Sequence, residues 1–452
     1  MKAESIHIQS MPLLEITNCK IVKKVNTHLS AEIRGFLKKE KDKHQEEYLQ
    51  EENVNILVLS DTDNKWHSVF KGLITAISVS AKNGLAELVI KAESYTLLLD
   101  IENKFRVFQD VTKSYKEVAK YIVEQNKNTI SIFNRAANVP IHNMLVQYKE
   151  TDWEFLKRVG AELNMLLVAD CINDKASFYF GVPERTNVYD VNCLTVQKSV
   201  WAENGRKIQE MLIESRDILN LLDRVVVMGI TVYVYKAQME IKNGELVNKY
   251  ILRRQKDFYA EKYYNPNLAG LSVPGRVRDI KNAQVQILLD DDLVKSENHK
   301  LWFDFATVYS SSDGSGWYCM PERGDRIRLY FPDEKEKNAY VISSVPSERE
   351  NRIRTKPDEK SIRTVYDKEI RFTPDKIIIT NHNGIKIILD DKKGVEIISN
   401  RDIDIKAGGA IQVEGGDGIE ILSDSGIILR QDRNILMVRD GVLEQGLNIE
   451  HR

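Results

Sequence analysis

The sequence lacks the features that mark several large classes of protein. No run approaches the roughly 18 consecutive apolar residues of a transmembrane helix. Its start carries acidic and polar side chains where a signal peptide has an apolar run, so we expect synthesis and folding in the cytoplasm without a signal peptide. Basic residues number 65 against 67 acidic ones, a net charge of −2. This balance argues against a nucleic-acid partner, because nucleic-acid binding needs a basic surface.

Reactive and metal-binding side chains are also sparse. The cysteines Cys19, Cys171, Cys193 and Cys319 lie at least 22 positions apart and form no CxxC motif, which excludes a disulfide framework and a zinc site of the usual spacing. The 8 histidines are scattered and form no HExxH or HxH motif. We therefore predict no catalytic residue, no cofactor and no metal-binding cluster.

The last part of the chain lacks whole residue types. No aromatic residue occurs in the 80 positions after Phe372, and no proline occurs after Pro374. In their place stand 17 isoleucines between Ile377 and Ile449. A globular domain rarely gives up all its aromatic side chains, so this tail is expected to be built differently from the rest of the protein.

The tail contains a repeat of eight residues. After one longer step between Ile385 and Val395, six consecutive intervals between apolar segments are each eight residues long. Most units read apolar-x-apolar, which predicts short strands with one buried face. The residues predicted to be buried on that face are Val395, Ile397, Ile403, Ile405, Ile411, Val413, Ile419, Ile421, Ile427, Leu429, Ile435 and Met437. Sharp bends are predicted at residue types that tolerate left-handed backbone, namely Gly394, Asp402, Gly418, Gly426 and Asn434.

Eight residues are too few to close one coil of a single chain, which leaves two architectures. One chain can use three octads per turn, but nine octads then give only about three coils with uncapped ends. Alternatively, three chains wind round a common axis, and each supplies one octad in turn to each face of a triangular prism. The sequence favours the intertwined trimer, because its inward isoleucines form a core that one chain cannot bury alone.

Before the tail, strand patterns dominate and two segments read as helices. Residues 112–123 place apolar side chains on one helical face. Thr151 and Glu154 form a capping box at the start of the second helix. The neighbouring carboxylates Glu150 and Asp152 are interpreted, with Glu154, as capping and helix-dipole partners rather than as acid–base catalysts.

These patterns predict a mainly β fold with a small α/β part. The predicted segments are a first strand-rich region (1–111), an α/β subdomain (112–198), a second strand-rich region (199–267), an OB-fold barrel (268–345), a linker (346–372) and an octad-repeat β-prism (373–452).

Two motifs and the order of these segments resemble a known family. Gln147–Arg158 reads Gln-Tyr-x-Glu-x-Asp-Trp-x-Phe-Leu-x-Arg, and Pro321–Asp325 reads Pro-x-x-Gly-Asp. With the series of barrel, OB-type barrel and octad prism, they resemble the VgrG-like hub-spike proteins of contractile injection systems, which include the fused hub and spike of contractile phage baseplates. The resemblance covers nearly the whole chain.

The resemblance implies a structural homotrimer that is not an enzyme. In the family, two N-terminal barrels of each copy form a pseudo-sixfold hub, which adapts a sixfold tail tube to a threefold needle driven into the target cell envelope. By this resemblance, residues 1–111 and 199–267 correspond to the two hub β-barrels and residues 373–452 to the needle. Implied partners are the tail tube initiator, baseplate wedge proteins and a possible separate tip protein, within a virion-like or tail-like particle.

Two details of the family are tested against this sequence. Only about 27 residues join the OB-type barrel to the prism, so no inserted enzyme domain is expected. Three copies of His451 on the trimer axis would be the one candidate metal site, although a frayed terminal histidine is the preferred interpretation.

Two other functions compete with the hub-spike. A carbohydrate-degrading trimeric tail spike would need paired carboxylates beside aromatic sugar platforms, which the aromatic-free tail lacks. An OB-fold nucleic-acid-binding protein is disfavoured by the neutral charge, since that function would be inferred from the fold alone.

Overall fold

The computed structural model describes residues 3–9, 11, 13–37, 49–61, 63–82, 85–183, 187–203, 205–242, 245–290, 292, 294, 301–344, 355–439 and 441–445. The chain divides into two compact units, Met1–Glu350 and Asn351–Arg452. The mainly β fold class with a small α/β part is confirmed, because strands dominate and the described residues contain only two α-helices.

The first unit contains most of the regular structure. Its strands are β1 (Ala3–Ile8), β2 (Leu13–Lys24), β3 (Ser30–Leu37), β4 (Asn53–Ser60), β5 (Trp66–Lys82), β6 (Leu85–Glu93), β7 (Lys104–Phe108), β8 (Thr129–Phe133), β9 (Leu145–Glu150), β10 (Leu167–Asp170), β11 (Ala176–Phe180), β12 (Tyr189–Asp190), β13 (Cys193–Glu203), β14 (Arg206–Ser215), β15 (Arg224–Val227), β16 (Ile230–Lys242), β17 (Glu245–Arg253), β18 (Ser272–Lys281), β19 (Gln284–Leu289), β20 (Phe303–Asp304), β21 (Arg326–Tyr330) and β22 (Tyr340–Ser344). Its helices are α1 (Tyr115–Gln125) and α2 (Asp152–Glu162).

One 12-stranded sheet runs through both regions predicted as hub barrels. Its order is β1-β4-β5-β6-β3-β2-β16-β17-β14-β13, with β15 paired to β16 and β12 paired to β15. The two predicted barrels are therefore joined in one sheet through the β2–β16 pair. The domain boundary predicted between residues 198 and 199 falls inside β13. This strand is exposed along almost its whole length in the single chain.

The large sheet contains one five-stranded arrangement twice. The order β4-β5-β6-β3-β2 in its first half matches the order β15-β16-β17-β14-β13 in its second half. Each half consists of a two-stranded hairpin and a three-stranded meander joined by an antiparallel pair, β3 with β6 in one and β14 with β17 in the other. We call the first half hub unit A (β2–β6) and the second half hub unit B (β13–β17).

A β-bulge at the same place in both units fixes the correspondence of β5 with β16. The β5–β6 register shifts between Ile74 and Ala76. The β16–β17 register shifts between Val234 and Lys236. Since a bulge leaves one residue unpaired and bends the strand, its position marks equivalent residues even where the side chains differ.

A second bulge independently fixes the correspondence of β2 with β13. The β2–β3 register shifts between Ile16 and Asn18, and the β13–β14 register shifts between Cys193 and Thr195. The first bulge aligns β5 with β16. From there, the residue pairs of β5–β6, β6–β3 and β3–β2 in unit A, and of the matching strands in unit B, give the same alignment of β2 with β13 as the second bulge. The two hub units are therefore equivalent residue by residue.

The second helix begins at its predicted capping box, whereas α1 begins at Tyr115, three residues after the predicted start at 112, because Ser114 is its N-cap. Ser114 caps α1 and Thr151 caps α2, each in a capping box with the glutamate three residues later. The face predicted for α1 is buried and consists of Tyr115, Val118, Ala119 and Ile122. The helices pack with the three-stranded sheet β10-β11-β8 into the same core as the large sheet, which supplies the small α/β part of the fold.

The last strands of the first unit close into a small barrel. The sheet order is β20-β19-β18-β21-β22, and Phe305, just after β20, pairs in parallel with Val341 of β22. The ring therefore has five strands, the number found in an OB-type barrel. Phe303 is buried in its core, which also receives Val107 and Val146 from the β7–β9 pair.

The second unit contains two antiparallel meanders and no described helix. Its strands are β23 (Lys360–Arg363), β24 (Glu369–Thr373), β25 (Lys376–Thr380), β26 (Lys386–Asp390), β27 (Gly394–Ile398), β28 (Ile427–Gln431), β29 (Asn434–Val438) and β30 (Val442–Gln445). β23 to β27 form one sheet and β28 to β30 form another.

This unit differs from the sequence prediction in two places. Part of the predicted linker 346–372 is folded, because β23 and most of β24 lie within it; residues 346–354 lie outside the described part of the chain. Secondly, residues 399–426, all of them described, form no strand although the octads continue through them. A strand needs a hydrogen-bonding neighbour, and a single chain gives these octads none.

Candidate assembly interfaces

The motif Gln147–Arg158 forms a buried ion network. Arg158 is 2% exposed and donates from Nε to Oε1 of Glu150 at 2.8 Å. Its Nη1 donates to Oε1 of Glu336 at 2.7 Å. Glu336 lies between β21 and β22, so one guanidinium connects α2 to the five-stranded barrel.

The second carboxylate of the motif is equally well bound. Asp152 accepts hydrogen bonds from Nζ of Lys104 at 2.7 Å, from Nε2 of Gln147 at 3.0 Å and from Nδ2 of Asn126 at 2.8 Å. Arg106 forms an ion pair with the same group. These contacts join α1, α2 and the β7–β9 pair around one buried charge.

The pKa shifts within the motif follow from burial and from these partners. Burial raises the pKa of Glu150, and the contact with Arg158 opposes the rise. Burial would also raise the pKa of Asp152, but its hydrogen bonds from Lys104, Gln147 and Asn126 hold the pKa below its usual value. Both carboxylates contact structural partners, so the motif holds elements together. Glu154 has the capping role expected from the sequence and Asp152 lies in the first turn of α2, whereas Glu150 precedes the helix and binds Arg158 instead.

In the second unit, one face of the sheet β23–β27 is apolar and uncovered in the single chain. Paired residues across neighbouring strands form two rows on this face. The rows are Phe372, Ile377, Leu389 and Val395, and Ile370, Ile379, Ile387 and Ile397, with side chains 37% to 67% exposed. Exposed apolar surface of this extent is typical of an interface with another chain.

The opposite face of this sheet carries paired charged side chains together with Ile378, Ile388 and Ile398. Nζ of Lys376 lies 2.8 Å from Oδ2 of Asp390. Glu369 accepts from Nε and Nη2 of Arg371 at 3.0 and 2.9 Å and contacts Nε2 of His382. The hydrogen bonds with Arg371, together with that from His382, lower the pKa of Glu369 to about 2 although the carboxylate is buried. The two faces therefore differ, since charged side chains are paired on this face, whereas the two rows on the other face are entirely apolar.

None of the twelve side chains predicted to form the needle core is buried in the single chain. Val395, Ile397 and Leu429 are exposed, as are all six between residues 403 and 421. Ile427, Ile435 and Met437 are half-buried within the sheet β28–β30. Their burial between three chains remains a prediction.

The predicted bends divide by residue type. Gly394, Gly418 and Gly426 have positive φ angles of 86°, 138° and 118°, where a residue with a Cβ would be strained. Asp402 and Asn434 do not. At the β28–β29 turn, Asp432 adopts the left-handed conformation instead, with φ of 51°, because Asn434 is already the first residue of β29.

The barrel carries an exposed aromatic surface that the sequence did not identify as such. In the loop after β20, Tyr309, Trp317 and Tyr318 are all more than half exposed, and the loop folds back through a bridge between Ser310 and Gly316. Aromatic side chains on a protein surface are enriched at protein–protein contacts. The signal in the sequence was the Trp-Tyr pair within a loop rich in serine and glycine.

No group of three or more potential metal ligands occurs among the described residues, and His451 lies outside them. Within the same residues, no helix has the length and apolar character needed to cross a membrane.

Comparisons with solved structures identify similar folds. The E. coli c3393 protein, described as a component of the type VI secretion system with structural similarity to the T4 bacteriophage tail proteins gp27 and gp5, aligns with a TM-score of 0.54 at 12% identity, covering 76% of this chain and 100% of that chain. A chain of the half-lidded Francisella PdpA–VgrG complex aligns with a TM-score of 0.55 at 11% identity, covering 84% of this chain and 83% of that one. The lidded complex gives 0.56 at 11%, covering 85% and 76%.

Comparisons of the sequence with known families and curated proteins give little further information on the family. A model described as the Alg8 N-terminal domain matches residues 45–178, which is well under half of the chain and ends before hub unit B. A search of curated proteins found no significant match. The chain therefore has the β-rich fold of these tail-type and secretion-system proteins, and the likeness rests on structure.

Proposed function

We propose that this chain is the structural hub-spike of a contractile injection system, such as a phage tail, a tailocin or a secretion apparatus. Three copies form a homotrimer whose hub contacts a sixfold tail tube and whose needle is threefold. Its task is mechanical, and no catalytic step is assigned to it. The protein acts within a tail-like particle at the target cell envelope.

One observation carries this proposal: the octads between residues 395 and 421 present all their predicted core side chains to solvent. Between residues 403 and 421 the predicted core side chains are 53% to 72% exposed, and the backbone there forms no strand in the single chain. Burial of such side chains contributes about 1.5–3 kcal/mol each. Three chains wound together would satisfy both the apolar side chains and the unpaired backbone.

The duplication in the hub supports the same assembly. One chain carries two equivalent five-stranded units, so three chains supply six of them. This number matches a sixfold tube on one side and a threefold needle on the other. The fold likeness to the E. coli c3393 protein and to the PdpA–VgrG complexes agrees with this reading.

The proposed partners follow from this role. They are the tail tube initiator, baseplate wedge proteins and a separate tip protein on the needle. The exposed aromatic loop containing Trp317 is the surface of the barrel best suited to such a protein contact.

The mass of the full-length protein in solution tests the proposal. Light scattering coupled to gel filtration should give a mass near three times the 52.0 kDa of the chain, and the trimer should resist dissociation in SDS without heating. A 52.0 kDa species at micromolar concentration would remove the central premise.

A further inference from the structure

The contact between the two hub units is heterologous, which means that it joins two different surfaces. The outer edge of β2 in unit A pairs antiparallel with β16 in unit B, from Lys24 opposite Lys236 to Lys20 opposite Glu240. β16 receives β2 on the edge where its earlier residues pair with β15. In a heterologous contact each partner uses a different surface. One copy of each surface therefore stays unused, one on unit A and one on unit B, and the contact can repeat head to tail.

The first unused surface is the outer edge of β13, which is the equivalent of β2 in unit B. In the residue correspondence fixed by the bulges, Val200 of β13 matches Lys23 of β2. Lys23 is 2% exposed beside β16, whereas Val200 is 58% exposed. Within the part of the chain that the structure describes, no strand pairs with β13 except β14. A long, partly apolar edge strand of this kind is a template for another strand.

The second unused surface lies on β5, which is the equivalent of β16 in unit A. β4 pairs with β5 as far as Leu73, and β6 pairs with the other edge from Leu73 to Lys82. Residues 76–80 therefore have no partner on the β4 side among the described residues. In β16, the matching residues 236–240 receive β2 on that side.

We propose that β13 of one copy pairs antiparallel with β5 of the next copy, in the register that β2 and β16 use within the chain. The correspondence of the two units gives this register directly. The opposed pairs are Trp201 with Ala76, Val200 with Ile77, Ser199 with Ser78, Lys198 with Val79, and Gln197 with Ser80.

The side chains suit this pairing. Within the chain, the β2–β16 contact buries Ile21 and Met239 on one side of the sheet, where Lys23 and Ala237 are also buried. The positions that match Lys23 and Ala237 place Val200 against Ile77, which is half-buried, on that same side. The positions that match Ile21 and Met239 place Lys198 against Val79. The contact would therefore remove exposed apolar surface from β13 and satisfy unpaired backbone groups on both strands.

Repetition of this contact closes a ring. Each copy gives the edge of β13 and receives an edge on β5, so successive hub units alternate between intrachain and interchain versions of one interface. Closure after three copies, or six hub units, rests on the proposed function, whereas the strands and the register rest on the duplication alone.

Engineered disulfides test the pairing in the full-length protein. Directly opposed residues of antiparallel strands have Cα atoms about 4.5–5.5 Å apart, within the range that a disulfide spans. The variant carries Ser199→Cys and Ser78→Cys in a background with Cys193→Ser and Cys319→Ser, since these two native cysteines are not buried. After mild oxidation, denaturing gels without reductant should show covalent dimers and trimers, with the trimer as the largest species.

Three matched variants control the experiment. Val22→Cys with Gln238→Cys is the equivalent pair inside the chain and should form an intrachain disulfide with no change in mass. Ser199→Cys with Ile77→Cys moves one partner by one residue to the other face of the strand and should crosslink poorly. Ser199→Cys alone should give no dimer.

The outcomes separate the pairing from the proposed function. If the Ser199→Cys/Ser78→Cys protein has the mass of a trimer but forms no disulfide between copies, the proposed pairing is overturned. The hub-spike proposal then still stands. Dimers from Ser199→Cys alone would show β13 pairing with itself and would also overturn it. A ladder that extends beyond three chains would support the strands and register but overturn the closed ring and the trimer together.

Discussion

At Arg158, one buried guanidinium forms ion pairs with two carboxylates, Glu150 nearby in the sequence and Glu336 178 positions away. Burial alone would lower the pKa of Arg158, but Glu150 and Glu336 raise it, so the charge persists at any pH where the protein is folded. Of these two carboxylates, it is Glu336 that ties α2 to the barrel. Arg158 therefore stabilises the fold by supplying the positive charge for two buried carboxylates. Removing it would leave those carboxylates buried without a counter-charge.

Replacing this guanidinium should be costly. Arg158→Met is expected to lower the free energy of unfolding by about 3–5 kcal/mol, since Glu150 and Glu336 would stay buried without a counter-charge. Urea unfolding followed by tryptophan fluorescence measures the loss. Arg323→Met is the matched control, because Arg323 pairs with Asp279 on an exposed surface and should cost about 0–1 kcal/mol. Equal losses in the two variants would contradict a structural role for the buried network.

Glu369 should make the needle sheet sensitive to acid. Its pKa is lowered from 4.5 in the unfolded chain to about 2. Stability from a lowered carboxylate pKa is present above the unfolded value and is lost as the pH falls towards the folded value. The needle unit should therefore lose stability between pH 4.5 and about 2.

The variant Glu369→Gln tests this acid sensitivity. It should be less stable than the parent at neutral pH and should lose less on acidification, as measured by thermal unfolding at several pH values. Asp358→Asn, an exposed position just before β23, should leave the pH profile of the parent unchanged. A Glu369→Gln profile that falls as steeply as that of the parent would show that another group carries the effect.

The residues also show how far sequence reasoning reaches. The capping box of Thr151 and Glu154 was predictable because both partners lie within one helical turn. The contact of Arg158 with Glu336 was not, because 178 positions separate the two residues. A short motif reports its local hydrogen bonds, whereas its long-range partners depend on the finished fold.

At the scale of elements, an octad forms a strand only where another segment of the chain lies beside it and accepts its backbone hydrogen bonds. β25, β26 and β27 form because adjacent segments of the same chain pair with them. Residues 399–426 have the same period but form no strand in the single chain. The period was visible in the sequence, since it depends on side chains alone. The folded part of the predicted linker was missed because β23 and β24 lie outside the eight-residue rhythm.

A charge in the middle of the octads should disrupt the needle. Ile419→Asp would place three carboxylates together on the proposed axis, at a cost on the order of 3 kcal/mol or more per chain. The trimer should lose its resistance to heat and SDS while the hub still folds. Glu420→Asp introduces an aspartate one position along, on the outward face, and should keep full resistance. Unchanged resistance in Ile419→Asp would falsify the inward assignment.

At the scale of the whole molecule, the duplication of the hub explains what the sequence could not reveal. Equivalent positions differ in chemistry, as with Lys23 and Val200, because one lies in a filled contact and the other on a free edge. The correspondence resides in strand order and in bulges, which are properties of the backbone. Separate hub barrels were therefore predicted where the structure has one sheet with two equivalent halves.

Two separate interfaces should then hold the trimer, one in the hub and one in the needle. Once either has formed, the other becomes an intramolecular contact with a high effective concentration. Val200→Asp places a charge at the proposed β13–β5 contact but leaves it exposed in a single chain. Combined with Ile419→Asp, it should give monomers at micromolar concentration, whereas each single variant should remain trimeric by sedimentation velocity.

Leu194→Asp provides the control for this pair. Leu194 lies on the same strand with a similar exposure of 57%, but it is the bulge residue outside the proposed register. Its equivalent Thr17 lies outside the Lys20–Lys24 segment that pairs with β16 and is exposed. Leu194→Asp with Ile419→Asp should therefore stay trimeric through the hub. Dissociation of this control to the same extent would mean that any charge on β13 weakens the assembly, whereas a trimeric Val200→Asp/Ile419→Asp protein would show that the β13 edge does not hold the copies together.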